Sequence, residues 1–315
     1  MSDLFLRKVG LVVANQSGQG LDLSNFRIVF KVSAADVESP NTASIKIYNL
    51  GRDEALQIQK EFTQVSLQAG YQQGNFGVIF QGDIKQTKIG RENAKDSYVQ
   101  IFAADGDAAY NFGTVNTTLA AGATQQQQAQ AVAQQLQQHG VGAADYTGLQ
   151  QSTVGTGGIL PRGKVMFGLG RSYLRDVADT SNTSWSIQNG VLTFTSDTGY
   201  LPGEAVALNS DTGLIGVPEA TENGIYVRSL LNPLYKIGGR VQINNDLINQ
   251  TRILQQGFPQ YKAVNFTADV TADGIYRILV HEMDGDSRGN DWYSNLVCLS
   301  LDGSASVNSS VKAFG

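Results

Sequence analysis

The sequence predicts a mainly β fold with an α/β insert: two β-barrel domains, 1–111 and 206–315, flanking a small helix-plus-hairpin module, 112–205. Three observations lead there. The N-terminal and C-terminal segments alternate apolar and polar residues with period two. The middle segment switches to the period of an amphipathic helix. Glycine outnumbers proline 35 to 6, which suits short strands joined by tight turns.

In the N-terminal domain, Phe26, Ile28, Phe30 and Val32 alternate with Arg27, Val29 and Lys31. The same pattern recurs at Ser44 to Tyr48 and at Val65, Leu67, Ala69 and Tyr71. Val78 and Phe80 precede a turn expected at Gly82-Asp83, and Val99, Ile101 and Ala103 share one strand face. A short helix is expected over 53–62, around Leu56 and Ile58, and a hairpin turn over 74–77.

In the module, Thr124 and Gln127 have the spacing of a capping box. Ala129, Val132, Ala133 and Leu136 follow at helical spacing, and His139-Gly140 offers a left-handed stop. The polar face of this helix, from Gln125 to Gln138, is almost all glutamine and reads as a solvated face or a partner surface. A loop is expected over 142–163 and a second helix over 167–180, with Leu174, Val177 and Ala178 on one side. Asn189-Gly190 between two strand-like runs is the signature of a type I′ hairpin. Val132, Leu136, Leu174, Val177, Trp185, Ile187, Leu192 and Phe194 form the expected module core.

The C-terminal strands are expected at 225–231, 240–243, 263–270, 275–283 and 292–299. Pro233 stops the first of them, since proline cannot donate to a ladder. A turn-rich loop is expected over 284–290, and a weakly ordered tail from about 303.

Composition narrows the function. Hydrophobic residues, at 41%, suffice for a real core, whereas charged residues make up only 16%. The net charge of −5 and the absence of any basic run disfavour tight nucleic-acid binding. Cys298 is the single cysteine, so no intrachain disulfide and no cysteine metal site is expected. In MSDLFLRKVGLVV the acidic residue precedes bases set inside the apolar stretch, the reverse of a secretory leader. Synthesis and folding in a host cytoplasm are expected, without membrane insertion.

No catalytic, cofactor or metal site is expected. Asp284, Asp286, Asn290 and Asp291 space oxygen ligands as a calcium loop does, but Asn295 stands where the bidentate glutamate belongs. His281 and Glu282 are strand neighbours and point to opposite faces. His139 lies at a helix C-terminus, where its partial charge suits the dipole. The glycine-rich stretches at 155–163 and 168–172 lack the Gly-Lys-Ser/Thr ending of a phosphate loop and read as connectors. No carboxylate pair sits in a lysozyme-like setting.

Several phrases, in order, resemble the baseplate hub family of contractile-tail phages, the adaptor between tail tube and central spike. They are IKIYNL (45–50), LQAGYQQGNFGVIFQGDI (67–84), IFAADGD (101–107), YLRDVADTSNTSWSIQNGVLTF (173–194), TGLIGVPEATENGIYVRSLLNP (212–233) and DGIYRILVHEMDGDSRGNDWYS (273–294). The resemblance covers about residues 4 to 300. It implies a structural, non-enzymatic virion protein with two related tail-tube-like barrels per chain. Three copies would make a pseudo-six-fold ring, with tube proteins above, the spike below and other baseplate proteins around it. The tape-measure protein is a candidate partner, and DNA passes without specific binding. Two further expectations follow: a channel wall with little positive charge, and a module outside the ring wall. The alternatives are another tail-tube-like component (tube or terminator subunit, or its injection-machine equivalent) and a cell-wall-active enzyme or carbohydrate-binding module.

Overall fold

The computed structural model describes residues 4, 6–15, 17–152, 158–221, 224–248 and 273–300. The strand expected at 263–270 and the tail from 303 lie outside the described residues. The N-terminal part runs β1 (Arg7–Ala14), β2 (Gly20–Asp22), β3 (Arg27–Ala35), β4 (Thr42–Tyr48), α1 (Arg52–Glu61), β5 (Gln64–Tyr71), β6 (Phe76–Arg91) and β7 (Ser97–Ala104). The middle runs α2 (Asp107–Phe112), β8 (Thr114–Leu119), α3 (Gln125–Leu136), β9 (Ala144–Asp145), α4 (Thr147–Gln151), β10 (Lys164–Leu169), α5 (Gly170–Ser181), β11 (Thr183–Gln188) and β12 (Val191–Ser196). The C-terminal part runs β13 (Val206–Leu208), β14 (Leu214–Thr221), β15 (Gly224–Leu230), β16 (Arg240–Ile243), β17 (Ile275–Asp286) and β18 (Trp292–Ser300).

The fold is mainly β, as expected. One 13-stranded sheet follows the path β14-β15-β18-β17-β3-β4-β7-β6-β5-β1-β2, with β13 and β16 branching from β17. Both terminal regions contribute to it, fused through the antiparallel pairing of β17 with β3. Two hydrophobic cores lie against the sheet. The first gathers Leu11, Ile28, Phe30, Ile45, Ile58, Leu67, Phe80, Ile101, Met283 and Trp292. Leu11 and Ile28 share that core although several strands separate β1 from β3 along the path, so this part of the sheet curls on itself. The second gathers Ile225, Val227, Val241, Tyr276, Ile278, Leu296 and Cys298. Burying a side chain of this size contributes roughly 1.5–3 kcal/mol relative to leaving it exposed.

The β17–β18 hairpin runs through both cores. In β18 the even positions Trp292, Ser294, Leu296 and Cys298 stay buried throughout. In β17 the parity changes: Tyr276 and Ile278 face the second core, whereas Met283 faces the first. A register shift between Ile278 and Val280 causes the change. An extra residue in one strand moves every later side chain to the other face.

Other departures from the expected elements have local causes. The chain does not turn at Gly82-Asp83; β6 continues through both. A Cβ at Gly82 would lie 2.6 Å from the Ala104 carbonyl oxygen, so this glycine permits a close strand approach. A bulge in β6 turns Val78 outward and buries both Ile79 and Phe80. Asp284, Gly285 and Asp286 belong to β17, and the turn begins only at Ser287. Gly285 lies beneath the Phe30 ring, 2.3 Å from where its Cβ would be. The second module helix starts at Gly170, because Phe167 is held in β10 opposite Asn116 of β8. The expected loop over 142–163 contains β9, paired in parallel with β12, and α4.

All eight residues expected in the module core lie in one buried cluster, distinct from the two cores under the sheet. Thr124 caps α3: its Oγ1 accepts from Gln127 N at 3.2 Å, and Gln127 Oε1 accepts from Thr124 N at 2.9 Å.

Candidate functional site

Two carboxylates of the calcium-like phrase, Asp284 and Asp286, are engaged in structural contacts. Arg27 donates to Asp286 at 2.7 Å, an ion pair tying β3 to the end of β17. Burial by itself would raise the Asp286 carboxyl. The Arg27 hydrogen bond and the Arg288 and Gly289 backbone N–H groups outweigh burial and hold it below its ordinary value. Asn290 and Gly289 serve through their carbonyls, which accept from Arg7. Asn295 donates to Asp284 at 3.4 Å, and the Asp291 carbonyl accepts from Asp286 N at 2.8 Å. Among the described residues no cluster of three or more His, Cys, Asp or Glu is arranged to hold a metal ion.

His281 and Glu282 point to opposite faces. The His281 ring is buried, with Nδ1 3.1 Å from the Tyr235 carbonyl and Nε2 2.8 Å from Ser294 Oγ. Nδ1 therefore donates and Nε2 accepts from the hydroxyl. Burial lowers its pKa to about 4, so the ring is neutral. Burial likewise pushes the Cys298 thiol up. His139 ends the 3₁₀ turn that follows α3. In the stretch 168–172, Gly170 packs against Val132 and Leu136, which is a packing role. The glutamine face of α3 is only partly solvated. Gln125 and Gln128 are buried: Gln128 donates to Gln125 Oε1 at 2.8 Å and accepts from Lys164 at 3.1 Å.

The chemistry that the structure concentrates is positional, and it lies where the insert meets the sheet. Asn189 (φ 54°) and Gly190 (φ 78°) make the left-handed pair that a type I′ turn requires. Asp105, just beyond β7, accepts from the backbone N–H of both Asn189 and Gly190. Burial pushes this carboxyl up to about 7, against the pull of those two hydrogen bonds. Asn189 Oδ1 accepts from Gln81 N at 3.1 Å. Asn41 donates to the Ile187 carbonyl at 3.0 Å and to Gln188 Oε1 at 2.8 Å, while Gln188 donates to the Ala35 carbonyl at 3.0 Å.

A second set of contacts grips the other end of the hairpin. Arg277, buried in β17, donates to the carbonyls of Ser196 and Gly199. Beside it Asp36 is buried, and burial raises its carboxyl against the opposing pull of Arg277. Arg175 of α5 reaches Glu38 at 2.7 Å on the surface. A cavity of about 340 Å³ at this junction is bordered by Asn41, Gln188, Asn189, Tyr235, His281 and Met283. The Asn189-Gly190 turn is legible in the sequence, but its partner Asp105 and the other partners of the hairpin, Asn41 and Arg277, are not, because they lie far away along the chain.

No match was found among curated protein sequences. The family model described as "Baseplate hub gp41" matches residues 8–256. Among solved structures, the fold is similar to a tail protein from Neisseria meningitidis MC58, at TM-score 0.57 and 9% identity, covering 95% of this chain and 98% of that one. It is also similar to the 43 kDa tail protein of prophage MuSo2 from Shewanella oneidensis, at TM-score 0.55 and 8% identity, covering 94% and 98%. A third likeness, at TM-score 0.50 and 10% identity over 87% of this chain and 73% of that one, is to an E. coli protein. That protein is described as a type VI secretion component structurally similar to the T4 bacteriophage tail proteins gp27 and gp5. These likenesses show the fold; the family match over most of its length shows that this chain belongs to the baseplate hub gp41 family.

Proposed function

We propose that this chain is a structural, non-enzymatic hub subunit whose homotrimer joins the six-fold tail tube to the three-fold spike and leaves a channel for DNA. The observation that carries the reading is the doubled architecture: two separate cores under one continuous sheet, spanned by the β17–β18 hairpin. Two barrel-like halves per chain let three copies present six quasi-equivalent sectors to a six-fold partner. Closed cyclic symmetry of this kind is the usual solution for soluble assemblies. The same reading keeps the domain limits at 1–111, 112–205 and 206–315, and places the module outside the ring wall with tube, spike, tape-measure and other baseplate proteins as neighbours. Native mass measurement of the full recombinant chain tests the stoichiometry. A trimer is expected; a strictly monomeric or hexameric assembly in the intact tail would overturn the proposal. Zymography on cell-wall substrate is expected to be blank.

A further inference from the structure

Within the insert, β8 and β10 form a sheet of two strands, with Phe167 opposite Asn116. One face packs on the insert core through Val115 and Met166, and the other leaves Phe167 79% exposed. The two edges of this sheet differ. On the β10 edge, the Tyr173 hydroxyl accepts from Phe167 N at 2.8 Å and donates to the Phe167 carbonyl at 3.2 Å. Phe167 therefore spends its backbone groups outward and exchanges no bond with Asn116. In an antiparallel ladder, bonded and non-bonded pairs alternate. Gly170 N donates to the Gly113 carbonyl at 2.8 Å, a bonded pair where the alternation requires one.

Leu169 with Thr114, Phe167 with Asn116 and Val165 with Thr118 are thus the non-bonded pairs. Thr114, Asn116 and Thr118 turn their N–H and C=O groups out of the β8 edge. All three residues are exposed, and among the described residues no hydrogen bond reaches those outward groups. The edge has no charge, no proline and no bulge, the usual protection of an open strand.

The chain itself contains a segment that fits. β8 begins TVNTTL (114–119), and residues 306–311 read SVNSSV. Both run hydroxyl, Val, Asn, hydroxyl, hydroxyl, aliphatic. Period two extends the second phrase: Ala305, Val307, Val311 and Ala313 alternate with Ser306, Asn308, Ser310 and Lys312. The route is short. At the end of β18, Leu299 lies opposite Arg277, which donates to the Ser196 and Gly199 carbonyls of the insert. Ser196 pairs with Thr183, just past the C-terminus of α5. The N-terminus of α5, at Gly170, is bonded to Gly113, just before β8. The 12 residues of α5 span about 18 Å, and an extended chain from Ser300 to Ser306 reaches about 20 Å. A chain on this route meets β8 at Thr114 and runs in the same direction.

We propose that residues 304–313 add to the free edge of β8 as a third, parallel strand. Val307 then lies beside Val115, Asn308 beside Asn116 and Val311 beside Leu119. Hydroxyl pairs and aliphatic pairs on neighbouring strands each stabilise a sheet. Val311 covers Leu119, which is only partly buried against the insert core. Strand addition draws its affinity from main-chain hydrogen bonds, so a segment with few bulky apolar residues suffices. The contact lies within one chain, so it goes beyond the hub reading and its test does not decide the trimer.

The test is hydrogen exchange of the full-length chain. The variant Asn308→Pro, Ser309→Pro removes two successive N–H groups, one of which faces β8. Exchange over 114–119 should rise at least about fivefold, with the rest of the insert unchanged. A fluorescent synthetic peptide of residues 304–313 should then bind this variant, as read by anisotropy. Adding Asn116→Pro should abolish that binding, because it removes an outward N–H and no bond to β10. Adding Asn116→Ala instead should preserve it. Thermal unfolding checks that each variant folds; should Asn116→Pro fail to fold, Thr118→Pro takes its place. The proposal is overturned if the tail prolines leave exchange over 114–119 unchanged, if the peptide does not bind, or if it binds equally well after Asn116→Pro. Exchange that ignores the tail prolines but slows with protein concentration would assign the edge to a second copy.

Discussion

The sheet and the insert are stabilised in different ways. The sheet's two cores are bridged by one hairpin: β17–β18 sends Trp292 and Met283 into one and Tyr276, Leu296 and Cys298 into the other. The insert has a core of its own and meets the sheet through polar groups: Asp105, Asn41 and Arg277 bond to the β11–β12 hairpin, and Gln188 of that hairpin donates to the Ala35 carbonyl. Apolar packing that is shared between regions makes them fold together, whereas a polar seam fixes an orientation. Damage to β17–β18 should therefore spread through both halves of the sheet, and damage to the β11–β12 hairpin should stay local.

The largest expected effect is Trp292→Ala. The side chain is fully buried and packs edge-on against Phe30 and Tyr71, with Arg7 over its ring. Its loss should cost roughly 3–5 kcal/mol and lower the urea midpoint of both halves of the sheet together, with the insert less affected. Next is the pair Asn189→Val, Gly190→Val. Both positions have positive φ, so β-branched residues there cost about 1–3 kcal/mol each. A Cβ at Gly190 meets nothing closer than 3.8 Å, so the penalty arises from the backbone and not from a clash. Hydrogen exchange should rise across 183–196 while the oligomer still assembles. Loss of assembly would erase the contrast between the two regions.

Acidity should move the regions in opposite directions. Folded His281 titrates near 4, below the ordinary 6.5, so its contribution is complete above pH 6.5 and is lost as pH falls towards 4. The loss amounts to about 3 kcal/mol at most. Folded Asp105 titrates near 7, above the ordinary 3.8, so its contribution is complete below pH 3.8 and is lost as pH rises towards 7. Between pH 4 and 7, exchange protection corrected for intrinsic rates should weaken around β17 on acidification and strengthen at the hairpin tip. A common direction in both would contradict the assignment. The smallest effect is Arg175→Ala, which removes a half-exposed ion pair with Glu38 and should change the unfolding free energy by no more than about 1 kcal/mol.

What the sequence revealed was local. The Thr124–Gln127 cap, the Asn189-Gly190 turn and the alternation in β3, β5 and β7 each depend on neighbours within a few residues, and each was read correctly. Misreadings arose where a residue answers to a distant one. Gly82 reads as a turn, but its missing Cβ makes room for Ala104. Asp284-Gly285-Asp286 reads as a loop, but Phe30 covers Gly285 and Arg27 holds Asp286. The parity change in β17 and the transfer of that strand from β16 to β3 leave no periodic trace.

The most direct test of the hub account is an electron-microscopy reconstruction of the assembled baseplate. The account predicts three copies of this chain at the tube–spike junction, with the 13-stranded sheets forming the ring and the insert outside its wall. Six copies, or α3 and α5 lining the central channel, would contradict it.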